Sequence, residues 1–391
     1  MRSLRVCLVI TEDWYFWSHR RSLARYLTVH GHDVHLVTRL SKLKADIEAA
    51  GVTPHSVGLQ RTAKNPFSEA VVTRRMAGLF HELKPDVVHL VGMKPILYGS
   101  IASRMAKVPA TVCAIAGLGW LFTPGGILKT SARQLVSRYF RHALSNNPRV
   151  QYLVQNSHHR DVLLQNKMAG SDQVTIVSGA GVDPNRFRVQ PEPDSLPTVM
   201  THARMLWDKG IGDLVDAARI IKQQNVDCRI RLVGDPDPAN PASIPMEQLN
   251  AWNAEEIVTW QGRSSEIPQL LADSHIACLP SYHEGFPLSL VEAMSCGRPV
   301  VTNDIPGCRD AVTHERSGLL VPKGDAPELA KAIVRLVQDP ALRRRYGAHG
   351  RRDVMKRMCS EIVNQQTLDC YAQLLDQTQS ETQTTPARRA A

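Results

Sequence analysis

The sequence predicts an α/β protein made of two doubly wound parallel-sheet domains, and three features predict it. At 391 residues the chain is too long for one ordinary core, which makes two domains the natural expectation. Short β-branched runs alternate with amphipathic helical segments along almost the whole length. A polar, proline-rich stretch, "RVQPEPDSLP" at 188–197, separates two series of such runs.

In the first series, "LRVCLVI", "DVHLVT", "DVVHLV", "ATVCAIA", "QYLVQ" and "VTIVS" are the expected strands, with helices over Arg20–His30, Phe67–Leu83 and Pro95–Ala106 between them. In the second, "TVMTHA", "RIRLVG", "IVTWQ", "HIACLP" and "PVVTN" repeat the scheme. These runs are continuously apolar because a parallel sheet is covered on both faces. A long helix is expected over Ser360–Gln377, followed by a polar tail, Ser380–Ala391. The expected domains are 1–188, 189–359, a helix 360–378 packing back on the first domain, and a disordered tail 379–391. Open parallel sheets bind ligands outside the carboxyl ends of their strands, so two such domains are expected to face each other across a cleft.

Composition narrows the class. The chain is 43% hydrophobic and 21% charged, as soluble globular proteins are. No uninterrupted apolar stretch is long enough to span a bilayer. The apolar run in "MRSLRVCLVI" is too short for a signal sequence and reads as a buried first strand. Eight cysteines, without a Cys-x-x-Cys, fit neither a disulfide framework nor a zinc site, and reduced thiols in a cytosol are expected. The net charge of +10 is uneven: residues 1–190 hold 25 Lys/Arg against 11 Asp/Glu, the remainder 22 against 26. An anionic partner for the first half follows, whether nucleic acid, a phospholipid surface or a diphosphate-bearing substrate; a solvated basic face is the plainer reading.

The loops after the second-half strands carry the chemistry. "ARMLWDKGIGDLVDAA" sets Arg204 and Lys209 between a strand and a helix start, where two cations and free backbone N–H groups suit a diphosphate. Asp235 and Asp237 follow "RLVG", and Arg263 follows "IVTWQG". "HEGFPLSLVEAMSCGRPVV" then places Glu284 ahead of a helix and Glu292 on it, with Gly297 as the stop. Each of these alone reads as ordinary surface charge.

With these loops in register, the chain resembles the retaining glycosyltransferases of family 4, which have the two-domain GT-B fold. The resemblance rests on the E-x7-E pair Glu284 and Glu292, the "ARMLWDKGI" loop, and the glycine-rich "GAGVDPNRF" that contains Gly181. It covers nearly the full chain and is most specific over 198–322. It implies that Glu292 takes the ribose hydroxyls of a nucleotide sugar and Glu284 the donor sugar. Gly285, Phe286 and Pro287 would line sugar and phosphate, and Arg204 and Lys209 would neutralise the leaving diphosphate. The loop around Arg263 would seat the base, with Gly181 among the donor contacts. A vicinal diol suits an ionised carboxylate, which accepts two hydrogen bonds. The resemblance also implies retention without a protein nucleophile, a donor phosphate oxygen taking the acceptor proton. A two-carboxylate glycosidase reading leaves Arg204 and Lys209 unexplained. The Asp-x-Asp in "GDPDP" is explained by its turn, so no metal and no cofactor beyond the nucleotide-sugar co-substrate are expected.

The first βα segment, "TEDWYFWSHRR", lacks the glycines of many relatives and resembles instead a subgroup that extends polyprenyl-diphosphate-linked glycans in bacterial surface polysaccharide assembly. Lys94 in "VVHLVGMKP" and the loop Gly117–Gly119 in "AIAGLGWLFT" match that pattern as acceptor contacts. His19, expected at the start of the first helix, could orient or deprotonate an acceptor hydroxyl, or simply bond to backbone. Val91 stands where some relatives have a second histidine. Trp14, Phe16 and Trp17 read first as core, with Trp14 also a candidate acceptor contact. The segment "GGILKTSARQLVSRYFRHALS", 125–145, mixes Lys129, Arg133, Arg138 and Arg141 with apolar residues; it reads as a membrane-surface helix or as a core-facing one.

The expected activity is transfer of an N-acetylhexosamine from a UDP-sugar to a polyprenyl-diphosphate-linked saccharide at the cytosolic face of a membrane, without nucleic acid. The alternatives are a nucleotide-sugar epimerase on the same fold, a GDP-mannose-type donor with a soluble acceptor, and a nucleic-acid binder using the basic half, for which no motif is present.

Overall fold

The computed structural model describes residues 2–60, 65–117, 127–145 and 147–384. The chain forms two compact units, one reaching Ala180 and resuming at Val363, the other Gly181–Ile362. In the first, β1 (Arg5–Glu12), β2 (Asp33–Arg39), β3 (Thr53–His55), β4 (Val87–Val91), β5 (Ala110–Ile115), β6 (Val150–Val154) and β7 (Val174–Ile176) form a sheet of order β3-β2-β1-β4-β5-β6-β7. In the second, β8 (Thr198–His202), β9 (Arg229–Val233), β10 (Thr259–Trp260), β11 (Ile276–Leu279), β12 (Val300–Asn303) and β13 (Gly318–Val321) give β10-β9-β8-β11-β12-β13. Every pairing in both sheets is parallel.

Alternate residues of each strand feed opposite layers. Val6, Leu8 and Ile10 pack in one apolar cluster, Cys7 and Val9 in the cluster on the other face. Both sheets reverse strand order once, between β1 and β4 and between β8 and β11, and in open parallel sheets such switch points are where ligands bind.

Four expectations are corrected. The segment Asp13–His19 is a helix rather than a loop, so His19 ends that helix instead of starting the next, Arg21–Val29. The reason lies in the sequence: nothing between Thr11 and His30 breaks a helix, and the two helices part only at Arg20 (φ −131°). The strands β3 and β13 went unread; both are short strands at a sheet edge, and the first holds a proline. The stretch 188–197 does not hang between units. The Pro191 carbonyl accepts from buried Arg298, the Pro193 carbonyl bonds to His275, and Glu192 pairs with Arg343 at 3.0 Å, all within the second unit. The division therefore falls after Ala180 and after Ile362 rather than after 188 and 359. The last helix runs Ser360–Thr384, longer than expected, and 385–391 lie outside the described residues.

Val363, Leu368, Tyr371 and Leu374 of that helix join the first unit's core, and the Tyr371 hydroxyl meets His89 Nδ1 on β4 at 2.5 Å. Burial first, and the Arg20 charge second, push His89 down to about 3, so it is neutral in the fold. An unfolded histidine titrates near 6.5. The folded value is the lower one, so this contribution is complete above pH 6.5 and is lost as pH falls from there toward 3. Urea unfolding of the wild type is expected to lose about 1.4 kcal/mol per pH unit from this group in that window. A His89→Gln variant, whatever its absolute stability, should show a correspondingly flatter acid limb.

Candidate functional site

The predicted donor residues all lie in the second unit, most of them at its switch point. After β8 the chain makes a short turn at Trp207–Lys209, and Gly210 (φ +68°) opens the helix Ile211–Gln223. A side chain on Gly210 would put its Cβ 1.9 Å from the Pro280 carbonyl oxygen, so glycine lets this loop lie directly on the one that follows β11. Tyr282 N–H and the Ser281 hydroxyl both donate to the Asp208 carbonyl, locking the two loops together. Lys209 Nζ consequently sits 2.5 Å from Glu284 Oε1, both side chains largely buried. Each thereby holds the other in place.

Glu292 projects from the helix Leu288–Ser295, which Pro287 begins as its cap and Gly297 (φ +74°) follows. Its Oε2 lies 2.7 Å from Nε2 of His202, the last residue of β8. Sequence reasoning missed His202. The available signal was a polar residue closing an apolar strand two positions before Arg204. Replacing His202 by Ala is expected to raise the KM for a nucleotide sugar about 3–10-fold with a smaller change in kcat, the loss of one hydrogen bond that orients a carboxylate. Steady-state kinetics check it; a KM unchanged within error would deny His202 a positioning role.

Arg204 does not turn to either glutamate. Its Nη1 pairs with Asp237 Oδ2 at 2.6 Å, and the Asp237 N–H donates to Ser243. Asp235 accepts from the Arg263 N–H at 2.9 Å, tying that loop to the one after β9. The two aspartates of "GDPDP" thus each hold a neighbouring loop, and no group of three or more candidate metal ligands occurs among the described residues. The Arg263 side chain is exposed. Phe286 packs against the core beneath, while the Glu284 and Gly285 carbonyls lie so close to Gly307 that a Cβ there would stand 2.3 Å from the former. Gly181 (φ +70°) is needed where the chain crosses Ser360, whose Cα a Cβ would meet at 2.6 Å.

In the first unit, Trp14 is 43% exposed on its helix, Phe16 is buried, and Arg21 stacks on Trp17. His19 stacks on Tyr15 with ring centroids 4.3 Å apart and lines a small cavity with Arg20 and His89. Lys94 pairs with buried Glu69 at 2.6 Å. Gly117 follows β5, and Gly119 lies outside the described residues. The basic amphipathic segment forms a helix, Ile127–Tyr139, continuing into a wider turn, Phe140–Leu144. Val136, Tyr139 and Phe140 pack into the core, leaving Leu135 as its exposed large apolar side chain among those described. No described helix is long and apolar enough to cross a membrane.

Two open parallel sheets of this strand order, with a lysine and two glutamates gathered at the switch point of the second, define a class: the GT-B glycosyltransferases. Comparison with known proteins agrees. Residues 5–154 match the family model "Glycosyl transferase 4-like" and 196–339 match "Glycosyl transferases group 1", and the chain belongs to these family 4-like glycosyltransferases. It is similar to the N,N'-diacetylbacillosaminyl-diphospho-undecaprenol alpha-1,3-N-acetylgalactosaminyltransferase of Campylobacter jejuni, at 26% identity over 81% of this chain and 84% of that one. It is also similar to the Escherichia coli UDP-Gal:alpha-D-GlcNAc-diphosphoundecaprenol alpha-1,3-galactosyltransferase, at 24% identity over 73% of each. Among solved structures, a glycosyltransferase from Rickettsia africae superposes with a TM-score of 0.79 at 17% identity, covering 96% of this chain and 99% of that one. HepE of Anabaena, in complex with UDP and glucose, gives 0.77 at 18% identity, covering 94% and 99%.

Proposed function

We propose that this glycosyltransferase moves a sugar, an N-acetylhexosamine, from a UDP-linked donor to a polyprenyl-diphosphate-linked saccharide with retention of configuration. The reading is supported most by one observation, the Lys209–Glu284 pair on interlocked loops, together with the Glu292–His202 pair on the helix and strand that adjoin those loops. The names of the relatives from Campylobacter jejuni and Escherichia coli, both acting on diphospho-undecaprenol-linked sugars, supply the acceptor class, and one of them specifies a UDP-linked donor.

The chemistry follows from charge. As the bond from anomeric carbon to phosphate lengthens, the diphosphate gains negative charge and the sugar positive charge. Lys209 and the backbone N–H groups at the start of the helix Ile211–Gln223 meet the diphosphate. Glu284 then exchanges its lysine for donor-sugar hydroxyls, and its carboxylate also opposes the developing positive charge. Glu292 takes the ribose diol through two acceptor oxygens, one of them shared with His202. With no protein nucleophile, the acceptor hydroxyl attacks the face from which the diphosphate departs and gives its proton to a departing phosphate oxygen. The surplus of basic residues in 1–190 supports contact with an anionic membrane surface that presents the lipid-linked acceptor.

The test is a transfer assay with UDP-N-acetylhexosamines, UDP-galactose and GDP-mannose, each with and without an undecaprenyl-diphosphate-linked monosaccharide, read by product mass and anomeric NMR. An α-linked product formed only from a UDP-N-acetylhexosamine and the lipid-linked acceptor is expected. Epimerised donor in the absence of acceptor, or transfer only to soluble sugars, would overturn the reading.

A further inference from the structure

The first unit buries an arginine that lacks an answering charge among the described residues. Arg20, 7% exposed between two helices, makes a hydrogen bond from Nη1 to the His19 carbonyl at 3.1 Å, and its Nε is buried with no acceptor. No carboxylate lies within salt-bridge distance of it among the described residues. Arg298, also buried, shows the usual solution: its Nε and Nη2 donate to the carbonyls of Leu271, Ala272 and Pro191. Arg20 has no such set, and a buried cation left so is costly unless something else supplies the negative charge.

The same cavity holds a second orphan. His89 Nε2 is buried without a partner, while Nδ1 meets the Tyr371 hydroxyl. If that buried hydroxyl accepted, its own hydrogen would be stranded; donating to Nδ1 satisfies both groups and leaves the hydrogen of the neutral imidazole on Nε2. The residues lining the cavity thus include two with an unanswered buried donor, Arg20 at Nε–H and His89 at Nε2–H, one of them cationic. The space open to the centre of a water-sized body is about 20 Å³, enough to admit a small ion.

We infer that this cavity is a binding site for a single halide-sized anion, chloride in ordinary buffers, held between Arg20 Nε and His89 Nε2. A monatomic anion accepts from both donors, needs no acceptor in return, and neutralises the guanidinium. It ties the junction of the helices Asp13–His19 and Arg21–Val29 to β4 and the last helix, and so fixes His19, which lines the same cavity.

Full-length protein is melted in sodium gluconate, chloride and bromide at constant ionic strength, and crystals are soaked in bromide for anomalous diffraction. The expected results are a saturable rise of about 2–4 °C in the halides over gluconate and a bromide peak within hydrogen-bond reach of both nitrogens. Arg20→Gln should abolish the halide-dependent rise. Equal melting in all three salts, or a water with no anomalous signal at that position, would overturn the assignment. The wild-type soak decides the matter even if Arg20→Gln fails to fold.

Discussion

Lys209→Ala is expected to lower kcat about 10²–10³-fold, the usual consequence of deleting one preorganised donor to a developing oxyanion. The lysine is fixed by a turn whose geometry depends on Gly210, and its ammonium is held at 2.5 Å from Glu284 before any substrate binds. Its loss therefore removes a charge already in place, and solvent, which must reorganise, is a poor substitute. Because the leaving-group charge grows only as the bond breaks, the fall should be in kcat more than in KM. Lys209→Arg, which keeps the charge on a bulkier head, should retain more turnover than Lys209→Ala. Circular dichroism and melting separate this from unfolding, because Lys209 sits on a turn and belongs to neither apolar cluster of the second unit's core. Turnover within tenfold of wild type would remove Lys209 from the site.

Glu284→Gln should cost about 10²-fold or more in kcat while leaving the affinity for UDP alone close to wild type. The carboxylate faces Lys209, and the proposed role is toward the donor sugar rather than the nucleotide. Glutamine keeps the size and one acceptor oxygen, so the experiment isolates charge. Glu292→Ala makes the complementary case: without a carboxylate to hold the ribose diol, UDP itself should bind about 10-fold or more weakly, measured by calorimetry. If Glu284→Gln weakened UDP binding and Glu292→Ala did not, the roles of the two glutamates would be exchanged.

Much of this was legible in the chain of letters. Continuous apolar runs alternating with helical periods allow few structures besides covered parallel sheets, because a strand hydrophobic on both faces must be buried on both. The placement of Arg204, Lys209 and Glu284 on loops after strands, and of Glu292 on the helix that follows, came from the same pattern. The helix at Asp13–His19 was obscured by its composition: aromatic residues are middling helix formers, and although nothing there breaks a helix, the burial of Phe16 in the core is not readable from the segment alone. The proline-rich 188–197 reads as a linker by composition, yet its carbonyls satisfy Arg298 and His275, which lie far along the chain, a pairing that local sequence does not encode.

What the sequence determined by itself was the repertoire: two sheets, their order of segments, and a set of charged residues at strand ends, all fixed by periodicity and by short-range turn chemistry. Only tertiary structure decided the partners. Lys209 meets Glu284 across 75 positions and His202 meets Glu292 across 90, whereas Arg204 is taken by Asp237. The reason is physical: a hydrogen bond or ion pair depends on distance and direction in space, and sheet order, which sets those, is a property of the whole fold rather than of any stretch of it.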